Sequence, residues 1–266
     1  MNATFIQEIT LRARAMTTRK LTRLPGVALA LAGLALSGCA TRGALHVYAV
    51  SAGPAQPILD EGPPGAQEVP SFLEPDDTLT GFAYDPFTDH FFLRLAPGNR
   101  IRVVDRPARA IKREFTVDGA PPAAGDLAVR PRDGHLYLLG ARTGEIIECT
   151  RLGKLVGTFS LDQISGHPIG LALDATNDQL LALGPDGRRV TVHDRRGRFL
   201  REYRLESQAG PALAFDADRG ECLAPLAGRK GEIGVFDAAG RLTRTQVLPG
   251  ATPLVDAGPR SFLRVF

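Results

Sequence analysis

A repeat of 43 to 44 residues constrains the fold of this chain more than any other feature. Four segments of nineteen residues align almost without gaps. In each, equivalent side chains follow at a spacing of two, which places them on one face of a strand, and all of them are apolar or aromatic except Gln246. A second shared pair of strands precedes each segment and carries a recurring small residue: Ala83, Ala128, Ala172 and Ala214. The four segments are Asn99–Val117, Thr143–Leu161, Gly187–Leu205 and Lys230–Leu248.

Four short strands per unit with this period are typical of a β-propeller, whose innermost strands crowd a central axis and favour small residues such as the repeated alanine. The third repeat, GLALDATNDQLLALGPDGRRVTVHDRRGRFLREYRL, resembles the NHL repeat and the related YncE-like and SdiA-regulated propellers. The resemblance covers about residues 79–248. It implies an all-β propeller fold and says little about activity.

The chain ends outside the four repeats supply the pieces of a fifth blade. We expect the C-terminal stretch PLVDAGPRSFLRVF to form two inner strands, and Leu45–Val50 with Gln67–Leu73 to form two outer strands. This two-plus-two closure removes the exposed edges that a half-blade would leave. The sequence therefore predicts five four-stranded blades in a monomer. A sixth blade, or incomplete closure with dimerisation, stays open.

The first 38 residues have the pattern of an export signal. A basic segment precedes the uncharged run Leu24–Leu36, which at thirteen residues is too short to span a bilayer of about 30 Å. The run ends in Leu36-Ser37-Gly38-Cys39, which resembles the lipobox of bacterial lipoproteins. The resemblance implies that Cys39 becomes the lipidated, acylated (palmitate-type) first residue of the mature protein.

In such lipoproteins the residue after the cysteine influences sorting, and Ala40 implies the periplasmic side of the outer membrane rather than retention at the inner membrane. The predicted organisation is a signal peptide at 1–38, an anchored linker at 39–44 and a propeller domain at 45–266.

Charge and cysteine content exclude several classes of function. Removal of residues 1–38 takes away five Lys/Arg and one Glu, so the formal charge changes from +3 to −1. An exported mature protein with a net charge near zero gives no reason to expect a nucleic-acid partner. The three cysteines lack metal-ligand or CxxC spacing, and Cys149 and Cys222 are expected to be buried free thiols.

Basic residues recur in the loops between the second and third strands of the repeats, which emerge on the usual ligand face of a propeller. Acidic residues in the blade-to-blade connections share that face, so mutual solvation competes with a dedicated anion site. The candidate binding residues are Arg100, Arg142, Arg188, Arg189, Arg229 and Lys230.

No catalytic constellation stands out in the sequence. Asp85, Asp133, Asp174 and Asp216 occupy turn positions where short side chains cap the backbone. The five histidines fall at different blade positions, so no metal or cofactor site is predicted. A metal-dependent lactonase of the propeller type would use Asn as a ligand. Outside the signal, the chain has Asn99 and Asn177 only, on opposite faces.

These observations favour a non-catalytic module that binds an unidentified envelope protein and is held at the membrane by its lipid anchor. A metal-dependent hydrolase or lactonase and a receptor for a small anionic ligand are the alternatives.

Overall fold

The computed structural model describes residues 45–51, 56–63, 65–248 and 254–259, and every regular element within them is a β-strand. Three strands lie near the N-terminus: β1 (Leu45–Val50), β2 (Pro57–Glu61) and β3 (Gln67–Pro70). Blades 1 and 2 follow, with β4 (Thr78–Asp85), β5 (His90–Ala96), β6 (Arg100–Asp105), β7 (Ala110–Thr116), β8 (Leu127–Arg130), β9 (His135–Leu139), β10 (Glu145–Cys149) and β11 (Leu155–Ser160).

Blades 3 and 4 repeat this arrangement, and one further strand ends the described chain. These strands are β12 (Gly170–Asp174), β13 (Gln179–Leu183), β14 (Arg189–Asp194), β15 (Phe199–Arg204), β16 (Ala214–Asp216), β17 (Glu221–Pro225), β18 (Glu232–Phe236), β19 (Leu242–Val247) and β20 (Leu254–Pro259). The described part of the chain has no helix with the length and apolar character needed to cross a membrane.

The twenty strands form five four-stranded antiparallel sheets, each a blade. The first strand of every blade contacts the first strand of the next, and β20 contacts both β16 and β4, so the inner strands close a ring. The prediction of a five-bladed propeller is confirmed. The recurring alanines lie on or beside these inner strands and are almost fully buried, as the crowding near the axis requires.

The division of blade 5 between the two termini differs from the sequence prediction. Its strand order is β20-β1-β2-β3, so within the described residues the N-terminal segment supplies three strands and the C-terminal segment only the innermost one. Leu45–Val50 is the second strand rather than an outer one. The missed strand is Pro57–Glu61, which begins at a proline and contains the charged Asp60. Asp60 is buried because the pairing of β2 with β1 brings it beside His46.

Five hydrophobic clusters each fill one interface between neighbouring blades. At the closure, Tyr48 of β1 packs its ring 4.2 Å from that of Tyr84 and 5.2 Å from that of Phe91. Burial of these aromatic side chains holds blade 5 against blade 1, because apolar area removed from water stabilises by about 25 cal/mol per Å².

The turn between the third and fourth strands explains the glycine that recurs there in the repeats. Gly197 and Gly240 have φ values of 87° and 82°, and a Cβ at either position would lie 2.1 to 2.2 Å from a backbone oxygen of the preceding blade. Glycine is required there by both conformation and space. In blade 1, Arg109 takes this turn position with φ of 52°.

Candidate functional site

The predicted basic residues lie on one face of the ring, here called the loop face, which carries the loops between second and third strands. Acidic neighbours engage several of them. Arg100 lies 2.5 Å from Asp77, and Arg142 lies 2.8 Å from Glu145. The remaining contacts are Arg189 with Glu202 at 2.5 Å, Arg229 with Glu232 at 3.4 Å, and Arg188 with the Glu206 carbonyl at 2.7 Å, while Lys230 is exposed.

These pairs lower the positive potential of the loop face, since each carboxylate neutralises a nearby guanidinium. The arrangement matches a solvated rim of mixed charge. A binding site for an anionic ligand on this face stays a prediction.

The strand-end aspartates cap turns, as predicted. Asp85 accepts hydrogen bonds from the Phe87 amide at 3.0 Å and the Thr88 hydroxyl at 2.7 Å. The others accept amide hydrogen bonds two residues onward: Asp133 from His135, Asp174 from Thr176, and Asp216 from Asp218. Their carboxylates therefore stabilise local backbone, which accounts for the repetition of Asp at these positions.

Two of the histidines and both described asparagines have partners in separate parts of the ring. His46 lies 2.7 Å from Asp60 in the interior, and His135 lies 2.6 Å from Glu148. Asn99 donates to the Pro121 carbonyl at 2.6 Å, and Asn177 donates to Asp174 at 2.7 Å. Within the described ranges, no group of three or more His, Cys, Asp or Glu side chains is placed to hold a metal ion.

Both propeller cysteines are buried free thiols, which confirms the prediction. Burial raises the pKa of Cys149 and of Cys222 to about 12, because desolvation disfavours the thiolate. The Cys222 sulfur also lies 2.7 Å from the Tyr203 hydroxyl. Burial therefore disfavours the thiolate, which is the reactive form, at both positions.

The sequence did not single out a pair of carboxylates at the central axis, Asp126 and Asp256. Asp126 directly precedes β8 and accepts hydrogen bonds from three backbone amides, each belonging to a different blade. These are Leu127 at 3.0 Å, Leu171 at 2.9 Å and Leu213 at 3.3 Å.

Asp256 lies on β20 and accepts hydrogen bonds from the amides of Tyr84 at 2.7 Å and of Ala257 at 2.8 Å. The two carboxylates together therefore receive one backbone N–H from each of the five blades. The innermost strand of each blade has one edge that pairs with no further strand. The two carboxylates accept hydrogen bonds from backbone N–H groups that would otherwise lack a partner near the axis.

Burial raises the pKa of both carboxyl groups. The pKa of Asp126 rises to about 8, mainly by desolvation and further by the charge of Asp256, against the opposing effect of its three amide donors. Desolvation raises the pKa of Asp256 to about 7, again opposed by its amide donors. The two groups therefore titrate near neutral pH, where most carboxylates are fully ionised.

A cavity of about 210 Å³ lies along the axis next to Asp256 and is bordered by inner strands of all five blades. Its opening is on the face opposite the loop face, here called the turn face, among the turns that join first and second strands. The wall is mostly apolar and includes Leu127, Leu171 and Phe215. Asp218 lies at the mouth.

The turn face also carries an exposed patch where blades 1 and 2 meet, formed by Phe87, Arg151 and Leu152 and here called the blade 1–2 patch. The exposed fraction is 50% for Phe87 and 69% for Leu152. The Arg151 guanidinium lies over the Phe87 ring at 5.6 Å from its centroid, and the Arg151 carbonyl accepts a hydrogen bond from Arg113 at 2.7 Å. The patch is therefore held in place from both blades.

The axial pair left a signal that repeat comparison could have found. Asp126 stands two residues before the recurring alanine, where the other repeats have Gly81, Gly170 and Ala212. A carboxylate at a position otherwise occupied by the smallest residues indicates a special role near the axis. The blade 1–2 patch depends on contacts between blades and has no comparable sequence signal.

No family model matches the chain, and no curated protein matches it either. Solved structures do match. A chain of a nidogen–laminin complex is 12% identical, with a TM-score of 0.55 over 82% of this chain and 99% of that one. Hydrazine synthase of Kuenenia stuttgartiensis is 16% identical over 64% of this chain, with a TM-score of 0.45. Glutaminyl cyclase of Myxococcus xanthus is 17% identical over 68% of this chain and 70% of that one, with a TM-score of 0.48.

This chain spans about half of the hydrazine synthase chain that it matches, 49% of its length. Identities this low establish similarity of fold alone. The ring of five four-stranded sheets and the similarity of fold to the nidogen–laminin structure together show that the chain is a five-bladed β-propeller.

Proposed function

We propose that this protein is a lipid-anchored binding module on the periplasmic side of the outer membrane, which holds an envelope protein on its turn face and performs no catalysis. The blade 1–2 patch is the observation that carries the binding role. It combines an exposed aromatic ring, an arginine stacked on that ring and a highly exposed leucine. Aromatic and arginine side chains dominate the energetic centres of protein interfaces.

The patch is specific to one position in the ring. Leu152 occupies the turn between the third and fourth strands, where blade 3 has Arg196 and blade 4 has Ala239. A groove lined by Phe115, Leu152 and Lys154 runs beside it. The exposed side chains of Lys154 and Asp118 both line this groove, which favours a partner segment with an apolar anchor and flanking charges of both signs.

The anchor part of the proposal rests on the sequence, because residues 1–44, including Leu36, Ser37, Gly38 and Cys39, lie outside the described residues. A rigid propeller held at a membrane surface presents its turns and loops at fixed geometry. The fold of the nidogen–laminin neighbour is compatible with such a role.

Substitution of Leu152 by Glu is expected to weaken partner capture at least tenfold, because a carboxylate replaces the apolar anchor of the patch. A photoreactive residue at position 152 of the native, membrane-anchored protein should give a discrete protein adduct. Unlabelled native protein added in excess should compete for that adduct, whereas added Leu152→Glu protein should not. The readout is the adduct yield on a denaturing gel, with the partner identified by mass spectrometry.

Ala239→Glu is the matched control, since it makes the same charge change at the equivalent exposed turn of blade 4. It should leave the adduct unchanged. A discrete adduct from Arg142 on the loop face, with none from position 152, would contradict the patch and favour the loop face instead.

Cys39→Ser is expected to remove the protein from the membrane fraction, because serine provides no thiol for lipid attachment. Sodium carbonate extraction followed by immunoblotting measures the partition, and the mass of the N-terminal peptide reports the acyl chains. Cys222→Ser, which changes a buried thiol, should stay membrane-bound. Unchanged partition of Cys39→Ser would refute the anchor.

A further inference from the structure

The axial cavity is a second feature with the properties of a binding site, and it is independent of the patch used in the proposed function. Its wall is formed by the innermost strands of the ring, so its shape is fixed by all five blades. Apolar side chains provide most of the wall, among them Leu127, Val129, Leu171, Leu173 and Phe215. An apolar, concave site with a few polar groups is the usual form of a small-molecule pocket.

The charge of the described cavity lining has one sign. Asp256 lies on the wall, Asp218 lies at the mouth, and among the described residues that line the cavity none is Lys, Arg or His. Asp126 adds a further carboxyl group close to the inner end, where it accepts the amide of the wall residue Leu127. An anionic ligand is therefore disfavoured here, and a cation is favoured.

Asp256 has capacity for a ligand beyond its two backbone donors. Each oxygen of its carboxylate accepts one amide hydrogen bond, from Tyr84 or from Ala257. An ionised carboxylate has about four acceptor positions in all. A charged donor entering from the cavity can therefore bind the carboxylate without displacing the backbone amides.

Size limits the ligand further. An engineered cavity of about 150 Å³ binds benzene. The axial cavity, at about 210 Å³, has room for a single ring or a short alkyl chain with a polar head.

We propose that the axial cavity binds a small organic ammonium compound, with its apolar body against the inner-strand leucines and its ammonium group on the Asp256 carboxylate. The ligand enters through the turn face, past Asp218. The loop-face arginines take no part.

Binding should depend on pH because an ammonium group favours the ionised form of its partner carboxyl. The pKa of Asp256 is raised by burial, so affinity should increase between pH 6 and pH 8 and binding should release protons. The nearby charged and titratable side chains are Asp126, Asp218, Tyr84 and Arg94; the Arg94 guanidinium donates to backbone carbonyls beside Asp126.

Isothermal titration calorimetry with hexylammonium, 1-hexanol and hexanoate on the purified propeller-containing protein tests the proposal. Hexylammonium should bind at least ten times more tightly than 1-hexanol at pH 8, and hexanoate should bind more weakly still. The apparent enthalpy should vary with buffer ionisation enthalpy at pH 7, which reports the released protons. Equal binding of amine and alcohol, or no binding of the amine, would overturn the proposal.

Asp256→Asn should reduce hexylammonium affinity at least tenfold, whereas Asp237→Asn, at an exposed turn of blade 4, should leave it unchanged. Ala217→Phe provides an independent test, because it narrows the mouth of the cavity and leaves both axial carboxylates in place. It should also abolish binding while the melting temperature stays near that of the native protein. Native affinity in both Asp256→Asn and Ala217→Phe would refute the site.

Discussion

Replacement of Arg94 by Met should lower the free energy of unfolding by about 3 to 5 kcal/mol, because two buried carbonyl groups and the Asn99 amide oxygen lose their donor at about 1 to 3 kcal/mol each. Arg94 is fully buried on the second strand of blade 1. Its guanidinium donates to the Gly125 carbonyl at 3.1 Å, to the Leu139 carbonyl at 2.8 Å and to the Asn99 side chain at 2.8 Å.

Methionine fills part of the volume of Arg94 but donates no hydrogen bond, so the carbonyl groups of blade 2 lose their partner in a place that water does not reach. An unsatisfied buried acceptor costs about 1 to 3 kcal/mol. Burial also lowers the pKa of Arg94 to about 10, which leaves it charged at neutral pH. Chemical denaturation monitored by circular dichroism measures the loss.

Arg244→Met is the matched control. Arg244 pairs with Glu221 at 2.8 and 2.9 Å, but about half of its side chain is exposed, and exposed pairs contribute about 0 to 1 kcal/mol. A loss below about 1 kcal/mol is therefore expected. Equal losses for the two variants would show that the network of Arg94 does not hold blades 1 and 2 together.

The axial carboxyl pair should make stability fall as pH rises from 5 to 9. The pKa values of Asp126 and Asp256 in the folded protein, about 8 and about 7, lie above the value of 3.8 for an unfolded aspartate. The folded state therefore binds protons more tightly than the unfolded state. This contribution to stability is complete below about pH 4 and is lost as pH rises through 7 and 8.

The double variant Asp126→Asn, Asp256→Asn should lose this slope, because its amides do not titrate. Each unit of pKa difference corresponds to about 1.4 kcal/mol, so the native protein should lose several kcal/mol across this range relative to the variant. The variant should be less stable than the native protein in acid, since an amide NH₂ accepts no hydrogen bond from the axial N–H groups. Guanidinium denaturation at a series of pH values gives both quantities.

Asp133→Asn separates this effect from ordinary surface carboxylates. The hydrogen bond and charge of Arg130 contribute to a pKa of Asp133 that is lowered to about 2, so its contribution to stability is present above about pH 4 and lost in stronger acid. The slope between pH 5 and pH 9 should be the same in Asp133→Asn as in the native protein. A native slope in the axial double variant would contradict the assignment.

Periodicity alone determined the four internal blades and the position of most of their strands. The spacing of two in each repeat marks the faces of strands, and the recurring alanines mark the inner strands, because local chain geometry fixes both patterns. The roles of the turn aspartates and the positive φ of Gly197 and Gly240 were also predictable, since they depend on bonds to residues close in sequence or on the conformation of a single residue; the close approach of the preceding blade to both glycines was not.

The closure of blade 5 was only partly predictable. The two termini were expected to share a blade, but Pro57–Glu61 carries too few apolar residues to be recognised as a strand by itself. Its Asp60 is buried beside His46 of β1, and its Ile58 packs into the cluster between blades 5 and 1, which forms only when these two blades dock.

Tertiary structure decided where the axial carboxylates and the blade 1–2 patch form. Asp126 and Asp256 are 130 residues apart in sequence, and they share the axis because closure of the ring brings one amide of every blade to them. Phe87 meets Arg151 because blade 1 packs against blade 2. A repeat specifies its own four strands through local pattern, whereas the seams form only when neighbouring blades pack and the axis only after all five have assembled.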